Sequence, residues 1–460
     1  MVVLVVLAAA AVSYRFELGP RWFGFEHPDP ATAPALVAPP EGLELPALEV
    51  PSSVADPASD SSIAPGQVRR AMARTLADPD LGPDVFAAVT SLAEGAPVFS
   101  RGSGVAVPAS TMKLLTTTAA LSALGPDHTF TTDVVSGGRG RVVLVGGGDP
   151  FLASRPASAT TYPHRADVVT LARATATALR EQGVRRVRVG YDDSLFTGPD
   201  VNPRWPDDYV PDGVVSPITA LWVDEGRPPG GLGRVTDPSR AAADAFSAAL
   251  RRAGVEVVGA PTPRRAEPGA TGLASVESAP LAGIVEQTLA LSDNEAAEVL
   301  GHHVGLAATG RGSYADGAQG VVGILRELGV PVAGARVYDG SGLSRDDRLD
   351  PRTLVAVLQV AASDEHPELR PVVTGLPVAG FSGSLELRFA EGGRDGLGRV
   401  RAKTGTLTGV SALAGIATDR DGNPMVFALL ADRVALEDTL AARDALDELA
   451  AALAACRCGG

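Results

Sequence analysis

The chain has 460 residues and carries 40 Lys+Arg against 54 Asp+Glu, a formal net charge of −14. A nucleic-acid duplex or strand is held mainly by a basic surface, and this balance supplies none, so a nucleic-acid partner is excluded. With 45% hydrophobic and 20% charged residues the bulk is globular, and the length suits two or three units. Of the cations only Lys113 and Lys403 are lysines; the rest are Arg. The only cysteines, Cys456 and Cys458, stand among the last five residues. They offer neither a disulfide framework nor a Cys-based zinc site, and a frayed Cys-Arg-Cys tail is expected.

In chain order, Met1 to Val12 is an unbroken apolar stretch, shorter than the roughly 20 residues that span a bilayer and without a basic leader. It reads as an export signal or an uncleaved anchor within residues 1–27. Residues 28–65 hold nine prolines in 38 positions with no helical or strand period, the composition of a stiff, extended linker. A globular pattern begins near Gln67: a helix over 67–77, a strand over Val85 to Leu92, and a turn back into Val98 and Phe99. From Ser110, apolar positions recur every three to four residues through Leu124, predicting a buried helix stopped by Gly125-Pro126. Between 133 and 275 two helical stretches, Ala166 to Gln182 and Ser239 to Ala253, each lead through Gly-Val into a short β-rich run. A long Pro/Gly/Asp-rich loop, Gly198 to Leu232, interrupts this unit. Helical periodicity returns over Leu281 to Leu291, breaks at Ser292-Asp293-Asn294, and continues to about Val304. Arg399 to Leu407, Val410 to Ala417 and Met425 to Ala431 read as antiparallel strands, and Leu436 to Leu453 as a closing helix.

Ser110 and Lys113 stand three apart at a helix start, which puts them on one face about one turn apart. Burial and the helix N-terminus both lower a lysine's pKa, and a neutral amine can take the proton of a serine attacking a carbonyl. Arg stays protonated and cannot. Ser-x-x-Lys alone is also compatible with a capping Ser beside a solvated Lys. Two further features add weight. Ser292 and Asn294 sit at a break between helices, where a hydroxyl and an amide can point into a cleft. Lys403-Thr404-Gly405-Thr406 lies on a strand, where Gly405 lets a substrate backbone approach the edge.

Ser-x-x-Lys, Ser-x-Asn and Lys-Thr-Gly, in that order on helix, turn and strand, resemble the signature of penicillin-binding proteins and class A β-lactamases. Here Ser110 and Ser292 are 182 residues apart, with the α/β unit between them. That spacing, together with Pro108 to Thr111, Gly146 to Pro150, Asp192 to Phe196 and Asp339 to Arg345, resembles the D-alanyl-D-alanine carboxypeptidase/endopeptidase family. This is peptidase family S13, the class C low-molecular-mass penicillin-binding proteins. The resemblance runs from about residue 67 to the end. It implies an α/β (α+β) transpeptidase-like fold, an antiparallel sheet flanked by helices, over 66–132 and 276–460, with an inserted α/β domain over 133–275.

It further implies an exported, extracytoplasmic serine peptidase that cleaves D-Ala-D-Ala bonds of peptidoglycan stem peptides through an acyl-enzyme and is acylated by β-lactams. A membrane is involved only through the N-terminal segment. Ser110 would be the nucleophile and Lys113 its base, Ser292 a proton relay, and Asn294 a contact to the substrate amide. Lys403 would hold the terminal carboxylate or set the field around Ser292. Thr404, Gly405 and Thr406 would line the substrate, and the N–H groups of Ser110 and Thr406 would form the oxyanion hole. Asp149 would bind a side-chain amine or serve as a turn carboxylate; Arg345 would bind a carboxylate or form a surface ion pair. A β-lactamase or esterase on the same body, and a non-catalytic wall-binding protein, are the alternatives. No cofactor is implied. Glu298, His302 and His303 share one helix without a recognisable third metal ligand, so a solvated helix face is expected and no metal is assigned.

Overall fold

The computed structural model describes residues 62–459 apart from 93, 94, 96 and 391. The export and linker segments of the sequence reading therefore lie outside the described residues but for the linker's last few positions. No helix among the described residues is long and apolar enough to cross a membrane.

Helix α1 (Pro65–Met72), strand β1 (Asp84–Ser91) and strand β2 (Phe99–Arg101) open the fold, followed by helix α2 (Met112–Leu124). The chain closes with β9 (Val400–Leu407), β10 (Val410–Thr418), β11 (Pro424–Asp432) and the last helix, Thr439–Ala455. These two ends build one five-stranded sheet in the order β2-β1-β11-β10-β9, with antiparallel pairing throughout. Strand β11 reads as a continuous apolar run because both faces are covered. Met425, Phe427, Leu429 and Ala431 join the core under α1 and the last helix, while Val426, Ala428 and Leu430 join the opposite core against α2. At the far end of the order, β9 is left as an edge strand.

Between the two ends the chain forms a second sheet in the order β6-β5-β4-β3-β8. Its strands are β3 (Thr131–Ser136), β4 (Arg141–Val145), β5 (Arg186–Asp192), β6 (Glu256–Val257) and β8 (Gly272–Glu277), and β7 (Thr262–Pro263) also pairs with β5. Helices α3 (Val168–Glu181) and α4 (Pro238–Arg252) bury Leu171, Ala172, Phe246 and Leu250 against it. Each starts where a carboxylate caps free N–H groups: Asp167 accepts from Val169 and Thr170, and Asp237 from Arg240. The loop after β5 remains irregular apart from the short turn Asp224–Gly226. It is nonetheless packed, since Trp205, Val215, Ile218 and Trp222 form a core with Val299, Tyr314 and Leu343.

Helices α5 (Leu281–Leu291) and α6 (Asn294–Thr309) flank the break at Ser292. They are followed by α7 (Tyr314–Glu327), α8 (Pro351–Ala362) and the short α9 (Arg370–Thr374), and the closing helix Thr439–Ala455 is α10.

The C-terminal tail is not frayed. Cys456 and Cys458 form a disulfide, and the Cys458 side chain is fully buried. The Cys458 N–H donates to Asp419 at 2.9 Å and its carbonyl accepts from Ala64 at 2.8 Å, so the tail is pinned to both the β10–β11 turn and the start of α1. Two residues of local sequence carry no sign of those distant partners.

Candidate active site

Pro108 leads into a 3-10 turn, Ala109–Thr111, that runs directly into α2. Ala109 is held at φ 46°, a conformation that costs a residue with a side chain and collects at functional sites. It turns half-buried Ser110 out at the head of a helix whose residues Met112 to Leu121 are all buried. Lys113 is fully buried. Its Nζ lies 2.9 Å from the Ser110 hydroxyl oxygen and donates to Asn294 Oδ1 and the Ser341 carbonyl, both at 2.8 Å. Burial lowers the Lys113 pKa to about 8 against the opposing pull of Glu298, Asp339, Asp293 and Glu295. The amide and carbonyl oxygens can only accept. A neutral Lys113 therefore keeps its two protons on them and aims its lone pair at Ser110.

Ser292 ends α5 in the left-handed region at φ 59°, and Asp293 restarts the chain as α6 by accepting the Ala296 N–H at 2.9 Å. That break lets Asn294 reach Lys113. The Asn294 amide nitrogen donates to the Val214 carbonyl at 3.3 Å, so the long irregular loop also touches this residue. Glu295 anchors the same loop, accepting from Arg234 at 2.7 Å and from the Ser216 N–H at 3.2 Å in a buried pair.

Lys403 is fully buried on edge strand β9 and donates to the Thr404 carbonyl at 2.8 Å. Burial, then the charges of Lys113 and Arg388, push its ammonium well below the usual lysine range, so the chain's two lysines sense one another. Thr404 shares a 3.0 Å hydrogen bond with Ser384, and Thr406 is exposed. Gly405 also serves the packing of the site. A Cβ there would stand 2.9 Å from the Pro108 carbonyl oxygen and 3.1 Å from the Ala109 Cβ. Its missing side chain thus lets β9 close on the Ser110 turn.

Arg345 is exposed and donates to the Thr408 carbonyl at 2.9 Å, beside the end of β9. Asp149 is buried and accepts the Phe151 N–H at 2.8 Å. Burial raises its carboxyl to about 7, against the pull of that N–H and of Arg165. Its hydrogen bonding is that of a turn carboxylate.

The helix face carrying Glu298, His302 and His303 is not solvated; all three are buried. Helix α6 is enclosed by α2 and α7, so that face has nowhere to meet water. Each side chain bonds backbone instead: Glu298 accepts from Gly340 and Ser341, His302 Nδ1 meets the Glu298 carbonyl, and His303 Nε2 the Gly148 carbonyl. Burial takes both imidazoles down to about 4. Sequence reasoning missed Ser341 as a partner of Lys113, because a backbone carbonyl 228 residues away leaves no local trace.

The model of the D-Ala-D-Ala carboxypeptidase 3 (S13) family matches residues 68–229 and 228–453. The chain belongs to this family. Carboxypeptidase DacB of Mycolicibacterium smegmatis is 36% identical over 464 residues, covering 99% of this chain and 95% of that protein. A D-alanyl-D-alanine carboxypeptidase of Actinomadura is 30% identical over 470 residues, covering 83% and 84%. Penicillin-binding protein 4 of Haemophilus influenzae shares the fold with a TM-score of 0.67 at 21% identity, covering 85% of this chain and 98% of that one. The same protein is also known complexed with a β-lactam. As an S13 family member, the chain has the activity class of a serine-type D-Ala-D-Ala carboxypeptidase, on the penicillin-binding-protein fold expected from its motifs.

Proposed function

We propose that this protein hydrolyses the terminal D-Ala-D-Ala bond, or a D-amino-acid cross-link, of peptidoglycan stem peptides through an ester to Ser110. The observation that carries the reading is the Lys113 amine 2.9 Å from the Ser110 hydroxyl, with its remaining bonds on acceptor-only oxygens. Neutral Lys113 takes the hydroxyl proton as Ser110 Oγ bonds to the carbonyl carbon. The C–N bond then breaks, and Ser292 relays a proton to the departing amine. Water attacks the ester in the second half, returning the hydroxyl to Ser110. Asn294 orients the substrate amide. Lys403, with Thr404 and Thr406, receives the terminal carboxylate, whose charge would restore the lysine's own.

The N–H groups of Ser110 and Thr406 stabilise the oxyanion, a role in which a fixed donor is worth about 3 to 4 kcal/mol. Arg345, at the end of β9, offers a guanidinium to a substrate carboxylate, and Asp149 a carboxylate to an amine. The parts fall into a catalytic body over 66–132 and 276–460 and an insertion over 133–275. The protein acts outside the cytoplasm, held there by the N-terminal apolar segment. The Cys456–Cys458 disulfide supports an oxidising compartment.

A fluorescent penicillin tests the reading: wild type should be labelled covalently and Ser110→Ala should not. Undiminished label on that variant, or none on wild type, would reject it. Mass spectrometry of products from a defined pentapeptide and a cross-linked dimer then separates the two cleavages.

A further inference from the structure

Glu298 stands four residues after Asn294 on α6, hence on the same face, and is 1% exposed. Its two carboxylate oxygens are both engaged, accepting the Gly340 N–H at 2.9 Å and the Ser341 N–H at 2.8 Å. The carbonyl of that same Ser341 accepts from Lys113, and the carbonyl of Gly340 accepts from Thr116 at 2.7 Å, one turn further along α2. Residues 340 and 341 are thus clamped between α6 and α2. A Cβ on residue 340 would lie 2.5 Å from the Ala297 carbonyl oxygen, so only glycine fits the clamp. Asp339 completes it by accepting from Gly342, Ser344 and the Trp205 indole at 2.6 to 2.7 Å.

We propose that Glu298 is a positioning residue for Lys113: it fixes the Ser341 carbonyl so that the amine presents its lone pair to Ser110. The proposal rests on the reading of Lys113 as the base. Around the pair formed by Lys113 and Glu298 stand Tyr314 from α7, Asp339 and Asp347 from the loop after α7, and Asp293, Glu295 and His302 from α6 and its cap. Burial and then Asp339 raise the Glu298 carboxyl to about 8, opposed by the two N–H donors, so it and the Lys113 amine lose their protons over one pH range and titrate as a pair, the forming carboxylate raising the pH at which the amine becomes neutral. Asp347 is pushed well above the carboxylate range by burial and then Asp339. Among the charges that hold the Lys113 proton on, Glu298 ranks first.

Glu298→Gln keeps the shape but can accept only one of the two N–H groups, and it removes the anion. The second-order rate of labelling by fluorescent penicillin, followed from about pH 5.5 to 10, reads both effects. In folded Glu298→Gln the plateau should fall by about tenfold or more, and the acid limb should move to lower pH by about half a unit or more. Glu298→Asp, which keeps the charge on a shorter arm, should lose plateau rate while its limb stays near that of wild type. A Glu298→Gln limb that does not move, or a plateau within about twofold of wild type, overturns the proposal. Should Glu298→Gln fail to fold, a Glu298→Asp plateau equal to wild type overturns it instead. Wild type that takes no label at Ser110 would reject the base assignment itself, which is a separate outcome.

Discussion

Replacing Lys113 by Arg keeps a positive charge and removes the one property the mechanism needs. With its pKa held near 8, Lys113 is about one-tenth neutral at pH 7. An arginine holds its proton far more tightly, and its neutral fraction at that pH is lower by at least about 10⁴. General-base catalysis is ordinarily worth about 10² to 10⁴, so the two scales agree on a loss of at least about 10³ in the acylation rate. Geometry points the same way. A planar guanidinium cannot satisfy Ser110, Asn294 and Ser341 from the position of a single nitrogen in a fully buried site. The assay is time-resolved labelling with fluorescent penicillin at pH 7, with thermal unfolding of the same sample to show that the variant is folded. A folded Lys113→Arg protein acylated within about tenfold of wild type would refute the neutral-amine account.

The wild-type acylation rate should itself rise about tenfold per pH unit and level near pH 8, because the lowered Lys113 pKa puts the loss of its proton there; a rate flat from pH 6 to 9 would contradict this. Lys403→Arg reads in the sequence as the milder change, since the charge is kept, but the side chain is fully buried. Overpacking there should cost about 1–3 kcal/mol of stability in urea unfolding and lower turnover of a defined pentapeptide; an unchanged protein would show that the site has slack. Gly342→Ala would set a Cβ 1.9 Å from the Ala109 carbonyl oxygen at φ 81°. It should abolish penicillin labelling by displacing the turn that carries Ser110, and full labelling would count against that contact. Asp447→Ala would leave Arg388 buried without the carboxylate that now accepts from it at 2.7 and 2.9 Å. A loss of about 3–5 kcal/mol is expected in chemical denaturation, and a loss below about 1 kcal/mol would mean that water replaces the partner.

Local sequence carried the pieces of this molecule. The 3.6-residue period of α2, the strand patterns of β9 and β10, the apolar run of β11 and the glycine stops are consequences of nearest neighbours, and each appears where the pattern put it. The two lysines also announced themselves, since Lys113 one turn after Ser110 and Lys403 before Thr404-Gly405 are spacings that chemistry explains without a fold. Helices α7 and α8 and strand β3 went unread; their helical and strand character is decided by the cores they meet.

The sequence by itself singled out the residues proposed to carry the chemistry, because a Ser and a Lys at a fixed helical spacing are a local fact. Only the tertiary structure decided what surrounds them. The acceptors that aim the Lys113 lone pair come from residues 294 and 341, the clamp on the second from Glu298, and the burial that lowers the amine from helices far apart in the chain. Hydrogen bonds to backbone atoms and desolvation depend on position in space, which is why Glu298 reads in the sequence as part of a solvated helix face although the closed chain buries it against residues 340 and 341.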